Sequence, residues 1–280
     1  MMKIFLFILI YFSLQLSAID LISLRGNAVQ GGLAICELDS SVEKLFLDHK
    51  PVPISNTSAI IGFDRDEKLK HKLTIVLKNG EMYTSVFYIK KKDYSIQRID
   101  NIEEQYVEQP HDQQLIERIS SEASKLLKSK NKIYKNKNLY IEDFHFPLDS
   151  REITGYFGTQ RILNGIHKKP HNGLDIAAPS GTEIIAMTTG VVKLTGDYFY
   201  NGRFVLLDHG SGLSSIYIHL SSISVEVGDY ILAGGKIGEV GSTGRSSGNH
   251  LHWGVGWRQK RIDPEQITNM EDTFLKIIRE

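Results

Sequence analysis

The sequence predicts a mainly β protein: an N-terminal β-sandwich-like domain, a helical linker and a C-terminal compact antiparallel β domain. Three observations support this fold class. Short apolar runs separated by turn residues recur about every ten residues over 20–98. Apolar residues with helical spacing occur only after Pro110. Glycine is unevenly distributed, since five of the 24 glycines lie in residues 1–140 and 19 beyond them.

Composition limits the classes of protein to which the chain can belong. Its 280 residues carry 33 Lys+Arg and 33 Asp+Glu, a formal net charge of zero. Proteins that follow nucleic-acid phosphates usually carry a basic excess, so we expect no nucleic acid as partner. The single cysteine, Cys36, excludes an intramolecular disulfide and is expected to be a buried small hydrophobe. The length suggests two domains.

Residues 1–18 are predicted to be a signal peptide. Lys3 precedes an apolar run from Ile4 to Phe12, and the small residues Ser17 and Ala18 follow. The run is shorter than the roughly 20 apolar residues that cross a bilayer. We therefore expect export, to the periplasm or cell envelope, with an uncleaved membrane anchor as the alternative. The protein would contact the membrane only if this segment stays attached.

Residues 19–98 are predicted to form the β-sandwich-like accessory domain. The apolar run Leu73–Leu77 leads to Asn79-Gly80, and Tyr83–Ile89 supplies the returning strand. An Asn-Gly pair between two apolar runs is a strong β-hairpin signal. No set of residues in this domain has a catalytic pattern.

Residues 99–143 are predicted to be a helical, basic linker. Two interpretations of its lysines stay open: a solvated helix end, or attraction to anionic polymers or a membrane surface. The apolar positions with helical spacing are Leu115, Ile116, Ile119, Ala123, Leu126 and Leu127, and the basic run is Lys125, Lys128, Lys130, Lys132, Lys135 and Lys137.

Residues 144–268 are predicted to form the antiparallel β domain, with tight glycine turns between short strands. Asp263-Pro264 ends this pattern. The tail 269–280 is predicted to contain a short helix from Met270. The expected strands include Ile184–Ala186, Gly190–Val192, Phe204–Leu207 and Ile216–Ile218.

The first motif with chemical potential is His171-Asn172-Gly173-Leu174-Asp175. Pro170 and Gly173 argue against a helix, and on an extended strand the two polar side chains would be about 13 Å apart. Ligands of one zinc ion need donor atoms within about 4 Å of each other. The chain must therefore turn between His171 and Asp175 if both bind a metal, and Asn172-Gly173 is a turn-forming pair.

Two further segments supply histidines. In His250-Leu251-His252-Trp253, strand periodicity puts both imidazoles on one face and Leu251 and Trp253 in the core. In Ile216-Tyr217-Ile218-His219-Leu220, the same periodicity puts Tyr217 and His219 on one face and the three aliphatic residues on the other. His219 is thereby a candidate catalytic residue. Four histidines outside these motifs are expected to have structural roles: His111, His145, His167 and His209.

Together the motifs supply His, Asp and His as metal ligands, with two histidines left over. Three protein ligands and one position for water are typical of catalytic zinc, whereas structural zinc usually has four ligands, often cysteines. The single cysteine excludes a Cys-rich structural site.

These segments, with Val227-Gly228-Asp229 and Gly241-Ser242-Thr243-Gly244, closely resemble the lysostaphin-type (LytM-like) zinc endopeptidases of bacterial cell walls. The resemblance covers roughly residues 144–265. It implies one zinc ion per chain bound by His171, Asp175 and His252, with His219 and His250 acting in catalysis. It also implies peptidoglycan as partner, cut at peptide bonds of its stems or cross-bridges.

Two alternatives remain. Some relatives of this fold have lost the metal site and only bind the wall or activate other hydrolases. The segment from Val225 to Gly238 also resembles the hammerhead of biotinyl or lipoyl carrier domains, which present one modifiable lysine on a hairpin tip. The sequence leaves the oligomeric state open, and does not assign the base to His219 or His250.

Overall fold

The computed structural model describes residues 19–100, 112–131 and 144–279. The predicted signal peptide, His111 and the lysines at 132, 135 and 137 lie outside these ranges. Among the described residues, no helix combines the length and apolar character needed to cross a membrane.

The N-terminal part is a sandwich of two antiparallel sheets, as predicted. Strands β1, β2 and β5 belong to one sheet, and the other has the order β4-β3-β6-β7. Cys36 is fully buried and unoxidised in its core, which confirms its predicted role. The strands are β1 (Ile19–Gly26), β2 (Leu33–Leu38), β3 (Val42–Leu47), β4 (Lys50–Val52), β5 (Ser58–Gly62), β6 (Lys70–Leu77) and β7 (Met82–Tyr88).

Strand β8 (Ile96–Ile99) crosses the predicted end of the accessory domain, and helix α1 (Gln113–Asn131) lies in the predicted linker. Asp112 caps the helix, since its Oδ1 accepts a hydrogen bond of 2.9 Å from the Leu115 N–H. Leu126 packs on a small apolar cluster of the C-terminal domain, and Glu122 Oε2 accepts from the Phe199 N–H at 2.9 Å. The predicted helix therefore packs on the second domain along part of its length.

The C-terminal domain is built on one large antiparallel sheet with the order β17-β14-β15-β16-β19-β12-β9. Asp263 caps a short helix, α2 (Pro264–Thr268). The strands are β9 (Ile153–Gly155), β10 (Gln160–Leu163), β11 (Ile166–His167), β12 (Leu174–Ala177), β13 (Glu183–Ile185), β14 (Gly190–Tyr198), β15 (Gly202–Gly210), β16 (Leu213–Ile223), β17 (Tyr230–Ile231), β18 (Lys236–Val240), β19 (His250–Trp257), β20 (Lys260–Ile262) and β21 (Thr273–Arg279).

The prediction of a terminal helix from Met270 is wrong, because the last segment forms β21. This strand pairs antiparallel with β1 and gives the first sheet the order β21-β1-β2-β5. Because β2 already pairs with one edge of β1, pairing with β21 provides hydrogen-bond partners for the backbone groups at the other edge. The pairing also buries Ile277 opposite Ile22. The two ends of the described chain therefore belong to one sheet.

Strand β16 departs from simple alternation at His219. This residue has φ of +69° and is an extra residue opposite the step from Arg203 to Phe204. Tyr217 lies in the main core, and beyond the irregularity Leu220 lies there too, whereas Ile218 packs on the small cluster around Phe204. The prediction that Leu220 shares a face with Ile216 and Ile218 is therefore wrong. The prediction that Tyr217 and His219 share a face is wrong for the same reason, because Tyr217 pairs with the core residue Trp253 while the His219 ring lies beside His250 and His252.

His209 belongs to a buried polar network, in line with its predicted structural role. Its ring nitrogens lie 2.9 Å from the Thr189 carbonyl and 2.8 Å from Ser215 Oγ. Burial lowers the pKa of His209 to about 4. The side chain is fully buried, so the imidazole is neutral in the folded protein at neutral pH.

This network predicts a pH-dependent loss of stability. In the unfolded chain the His209 pKa returns to about 6.5, so the unfolded state takes up its proton first as pH falls. The stabilising contribution is therefore complete above about pH 6.5 and is lost as pH falls towards 4. Between pH 7 and pH 5 we expect wild type to lose about 2 kcal/mol more than His209→Gln. Urea unfolding at both pH values tests this, and equal losses would contradict it.

Candidate metal centre

Three neighbouring strands and one preceding segment bring the five candidate residues together. Strands β16, β19 and β12 are adjacent in the main sheet, and Asp175 pairs in register with His252. On its other side His252 pairs with Ile218, next to His219. His171 precedes β12, and the chain bends at Gly173 as the motif required.

The side chains of His171, Asp175 and His252 form a compact triangle of donor atoms. His171 Nε2 lies 3.0 Å from both Asp175 Oδ1 and His252 Nδ1, and the latter two atoms are 2.7 Å apart. This spacing suits ligands of one metal ion with bonds of about 2.0–2.2 Å.

The hydrogen bonding of His171 identifies its free nitrogen. Its Nδ1 lies 3.0 Å from the carbonyl oxygen of Tyr156, which can only accept, so Nδ1 carries the proton. In the neutral ring, Nε2 then presents a lone pair to the carboxylate oxygen of Asp175. Lone pairs facing each other at 3.0 Å repel unless a cation lies between them. The donor set therefore fits a divalent metal ion.

Asp175 is a carboxylate held in its ionised form. Burial acts to raise its pKa, but where His171 and His252 are protonated, their hydrogen bonds and positive charge outweigh this effect and hold the pKa far below its usual value. Its second oxygen, Oδ2, lies 3.5 Å from an Arg161 guanidinium nitrogen. One oxygen thus faces the histidines while the other is oriented by a cation.

The backbone of His252 is anchored by the residues on either side of it, whose side chains lie in the core. Its neighbours Leu251 and Trp253 are fully buried, so the predicted alternation of faces along β19 is what the structure has. A Cβ atom added at Gly173 would lie 2.6 Å from His252 Nε2 and 2.5 Å from the Trp253 carbonyl oxygen. A side chain at position 173 would therefore displace the ring. Burial lowers the pKa of His252, against the opposing effect of Asp175.

His219 and His250 lie beside the triangle, with ring centroids 4.8 Å apart. Nδ1 of His219 is 2.8 Å from the Thr243 carbonyl oxygen, and Nδ1 of His250 is 2.9 Å from that of Gly248. Both rings therefore keep Nε2 free of a proton when neutral, and His250 Nε2 lies 3.9 Å from Asp175 Oδ1. Burial lowers the pKa of His219 to about 4.

Several groups at the centre were not predicted from sequence: Arg161 and the carbonyl oxygens of Tyr156 and Thr243. A backbone carbonyl has no residue-type signal. Arg161 lies on β10, a strand of a separate sheet that follows β9 after a turn and comes within reach of Asp175. Gly158, which forms the tight turn between β9 and β10, is the one residue in this segment whose type indicates that the chain turns here.

The other histidines of the described residues do not belong to the donor triangle, and Lys236, the one lysine between Val225 and Gly238, does not fit the carrier-domain alternative. His145 and His167 are exposed. Lys236 begins β18 and donates to Glu239 Oε1 at 2.9 Å, so it is part of a paired strand and not at the tip of a hairpin.

This geometry defines the class of protein as one with an antiparallel β domain that carries a His-Asp-His site suited to a metal ion. Comparison with known families is consistent with it, because residues 169–264 match Peptidase family M23. This match to residues 169–264 confirms the resemblance noted in the sequence.

Two curated relatives and one solved structure define the similarity further. Peptidoglycan DD-endopeptidase ShyA of Vibrio cholerae is 40% identical over 111 residues, which are 39% of this chain and 26% of ShyA. DD-carboxypeptidase/endopeptidase Mpg of Neisseria meningitidis is 38% identical over 122 residues, which are 43% of this chain and 28% of Mpg. The chain thus spans little more than a quarter of either relative.

Most of the chain also has a structural counterpart. The crystal structure of a Pseudomonas aeruginosa protein assigned to peptidase M23 is 29% identical and has a TM-score of 0.66. The similarity covers 86% of this chain and 95% of that one, so it extends beyond the M23 domain.

Proposed function

We propose that this protein is an exported zinc metalloendopeptidase that hydrolyses peptide bonds in the stems or cross-bridges of peptidoglycan. The observation that carries the proposal is the donor triangle of His171, Asp175 and His252 with two further imidazoles beside it. The names of ShyA and Mpg support the peptide bonds of peptidoglycan as substrate. The predicted signal peptide supports a location in the periplasm or cell envelope.

In this proposal His171, Asp175 and His252 hold one zinc ion per chain. When bound, zinc would supply a Lewis acid that polarises the scissile carbonyl and lowers the pKa of the attacking water. Asp175 contributes one negative charge, oriented by Arg161. The Tyr156 carbonyl keeps the His171 ring in the tautomer whose Nε2 faces the site.

His219 and His250 move the proton in this mechanism. Each has Nδ1 next to a backbone carbonyl, so each presents an unprotonated Nε2 that can accept the proton of the attacking water. The imidazolium formed can then donate that proton to the departing amine. The neighbouring ring, at 4.8 Å, would have to be an imidazolium to donate a hydrogen bond to the developing oxyanion, since its neutral form has no proton on Nε2.

A non-catalytic wall-binding regulator is the weaker proposal, because such a protein has no need for two free imidazoles beside a metal site. Digestion of purified peptidoglycan by the mature protein separates the two. We expect released peptides with new amino termini at one type of peptide bond, identified by mass spectrometry. Binding to peptidoglycan with no new termini would support the regulator.

A further inference from the structure

His171 is held by a short loop at residues 156–159, between β9 and β10. Besides the contact of its ring with the Tyr156 carbonyl, its N–H donates to the Thr159 carbonyl at 3.0 Å. Its own carbonyl accepts from the Gly158 N–H at 2.8 Å. The position and tautomer of His171 therefore depend on the conformation of this loop.

The accessory domain contacts this loop directly. Arg65 Nε donates to the Gly158 carbonyl oxygen at 2.8 Å, and its guanidinium lies 4.6 Å from the ring centroid of Tyr94. The Tyr94 ring packs edge-on against Phe157 at 6.0 Å. Tyr94 is itself anchored in the accessory domain, because its hydroxyl donates to the Gln30 carbonyl at 3.1 Å.

Gly158 makes this contact unusually close. It has φ of +80°, and a Cβ atom there would lie 2.0 Å from Tyr94 Cδ1. The aromatic ring thus lies against the backbone of the loop with no side chain between them. Packing at this distance leaves little room for the loop to move while Tyr94 stays in place.

Strand β8 extends the contact along the chain. It pairs in parallel with β10, and the Gln160 N–H donates to the Ser95 carbonyl at 2.9 Å. Ser95 Oγ also lies 2.9 Å from Thr159 Oγ1. Arg161, which approaches Asp175, belongs to the same β10. Two of the three proposed ligands are thus linked to groups that the N-terminal part of the chain supports.

We propose that Arg65 and Tyr94 are positioning residues of the metal centre, which fix the 156–159 loop and through it the His171 ring. The inference rests on the zinc site of the proposed function. The accessory domain then raises the affinity of the catalytic domain for zinc, because the loop does not have to be ordered when the metal binds. Neither residue belongs to the donor triangle.

Zinc affinity of the full mature protein tests this directly. Competition with a chromophoric chelator should give a dissociation constant about 10-fold weaker for Arg65→Met, at the lower end of the cost of losing a group that orients a metal ligand. Lys68→Met is the matched control, since it removes an accessory-domain cation that pairs with Asp48 at 3.1 Å. The control should match wild type.

Two substitutions of Tyr94 give a second, independent pair of variants. Tyr94→Phe keeps the ring against Gly158 and should bind zinc within about twofold of wild type, whereas Tyr94→Ala should weaken binding like Arg65→Met. Hydrogen exchange adds a local readout. Amides of residues 156–159 and His171 should exchange faster in both weakened variants, with those of β15 unchanged.

The outcomes are distinguishable. Zinc binding by Arg65→Met and Tyr94→Ala equal to that of wild type would overturn the positioning role while leaving the proposed function intact. Failure of the wild-type protein to bind zinc would instead overturn the zinc site on which both rest. Faster exchange throughout the protein in the weakened variants would identify a general structural role and would also overturn the inference.

Discussion

His252→Ala is expected to lose both zinc and activity. The substitution removes one of three donors, and the remaining His171 and Asp175 offer only two ligands where zinc is normally held by at least three from the protein. Loss of a group that only orients a metal ligand typically weakens metal binding about 10–100-fold. Loss of the ligand itself should weaken zinc binding by more than that. Activity on peptidoglycan should fall with it. Metal analysis of purified protein measures the first effect.

His167→Ala is the matched control for this variant. His167 is an exposed histidine of the same domain and does not belong to the donor triangle. It should retain one zinc per chain and full activity. A His252→Ala protein that still carried one zinc would contradict the ligand assignment. If His250→Ala lost zinc in its place, the roles within the pair would be exchanged.

His219→Ala and His250→Ala are expected to separate chemistry from metal binding. Neither side chain belongs to the donor triangle, so zinc should stay near one per chain. Hydrolysis should nevertheless slow by about 10²–10⁴-fold, which is the usual contribution of a positioned acid–base group. The rate of release of peptides from peptidoglycan, measured on zinc-loaded protein, checks this.

The fold of these two variants should survive, because aliphatic and aromatic side chains form the core of the domain. His219→Ala also removes a buried imidazole and its contact with the Thr243 carbonyl, so its thermal unfolding is compared with that of wild type. His145→Ala, which changes an exposed histidine, should cut at the wild-type rate and serves as control. Wild-type rates in both His219→Ala and His250→Ala would show that neither group carries the proton.

The parts of the fold that follow local rules could be predicted from sequence. The hairpin at Asn79-Gly80 is set by turn chemistry, and the faces of β19 follow from a period of two in which Leu251 and Trp253 are buried. The bend between His171 and Asp175 was likewise required by the distance between donors of one metal. These residues could be recognised because neighbouring positions in sequence determine their geometry.

The parts that failed depend on distant segments. Strand β21 pairs with β1, some 250 residues earlier in the chain, and no local pattern reports that β1 has an open edge. The face of Leu220 depends on an irregular pairing of β16 with β15 at His219. The contact of Arg65 with Gly158 joins two domains, so neither residue carries a signal of it.

Zinc titration of the metal-free protein tests the central claim most directly. The protein is stripped with a chelator, and its rate of peptidoglycan hydrolysis is followed as zinc is returned in fractions of an equivalent. The proposed centre of His171, Asp175 and His252 predicts no activity without metal and a linear rise that ends at one zinc per chain. Full activity in the stripped protein, or a rise that continues to two equivalents before levelling, would contradict it.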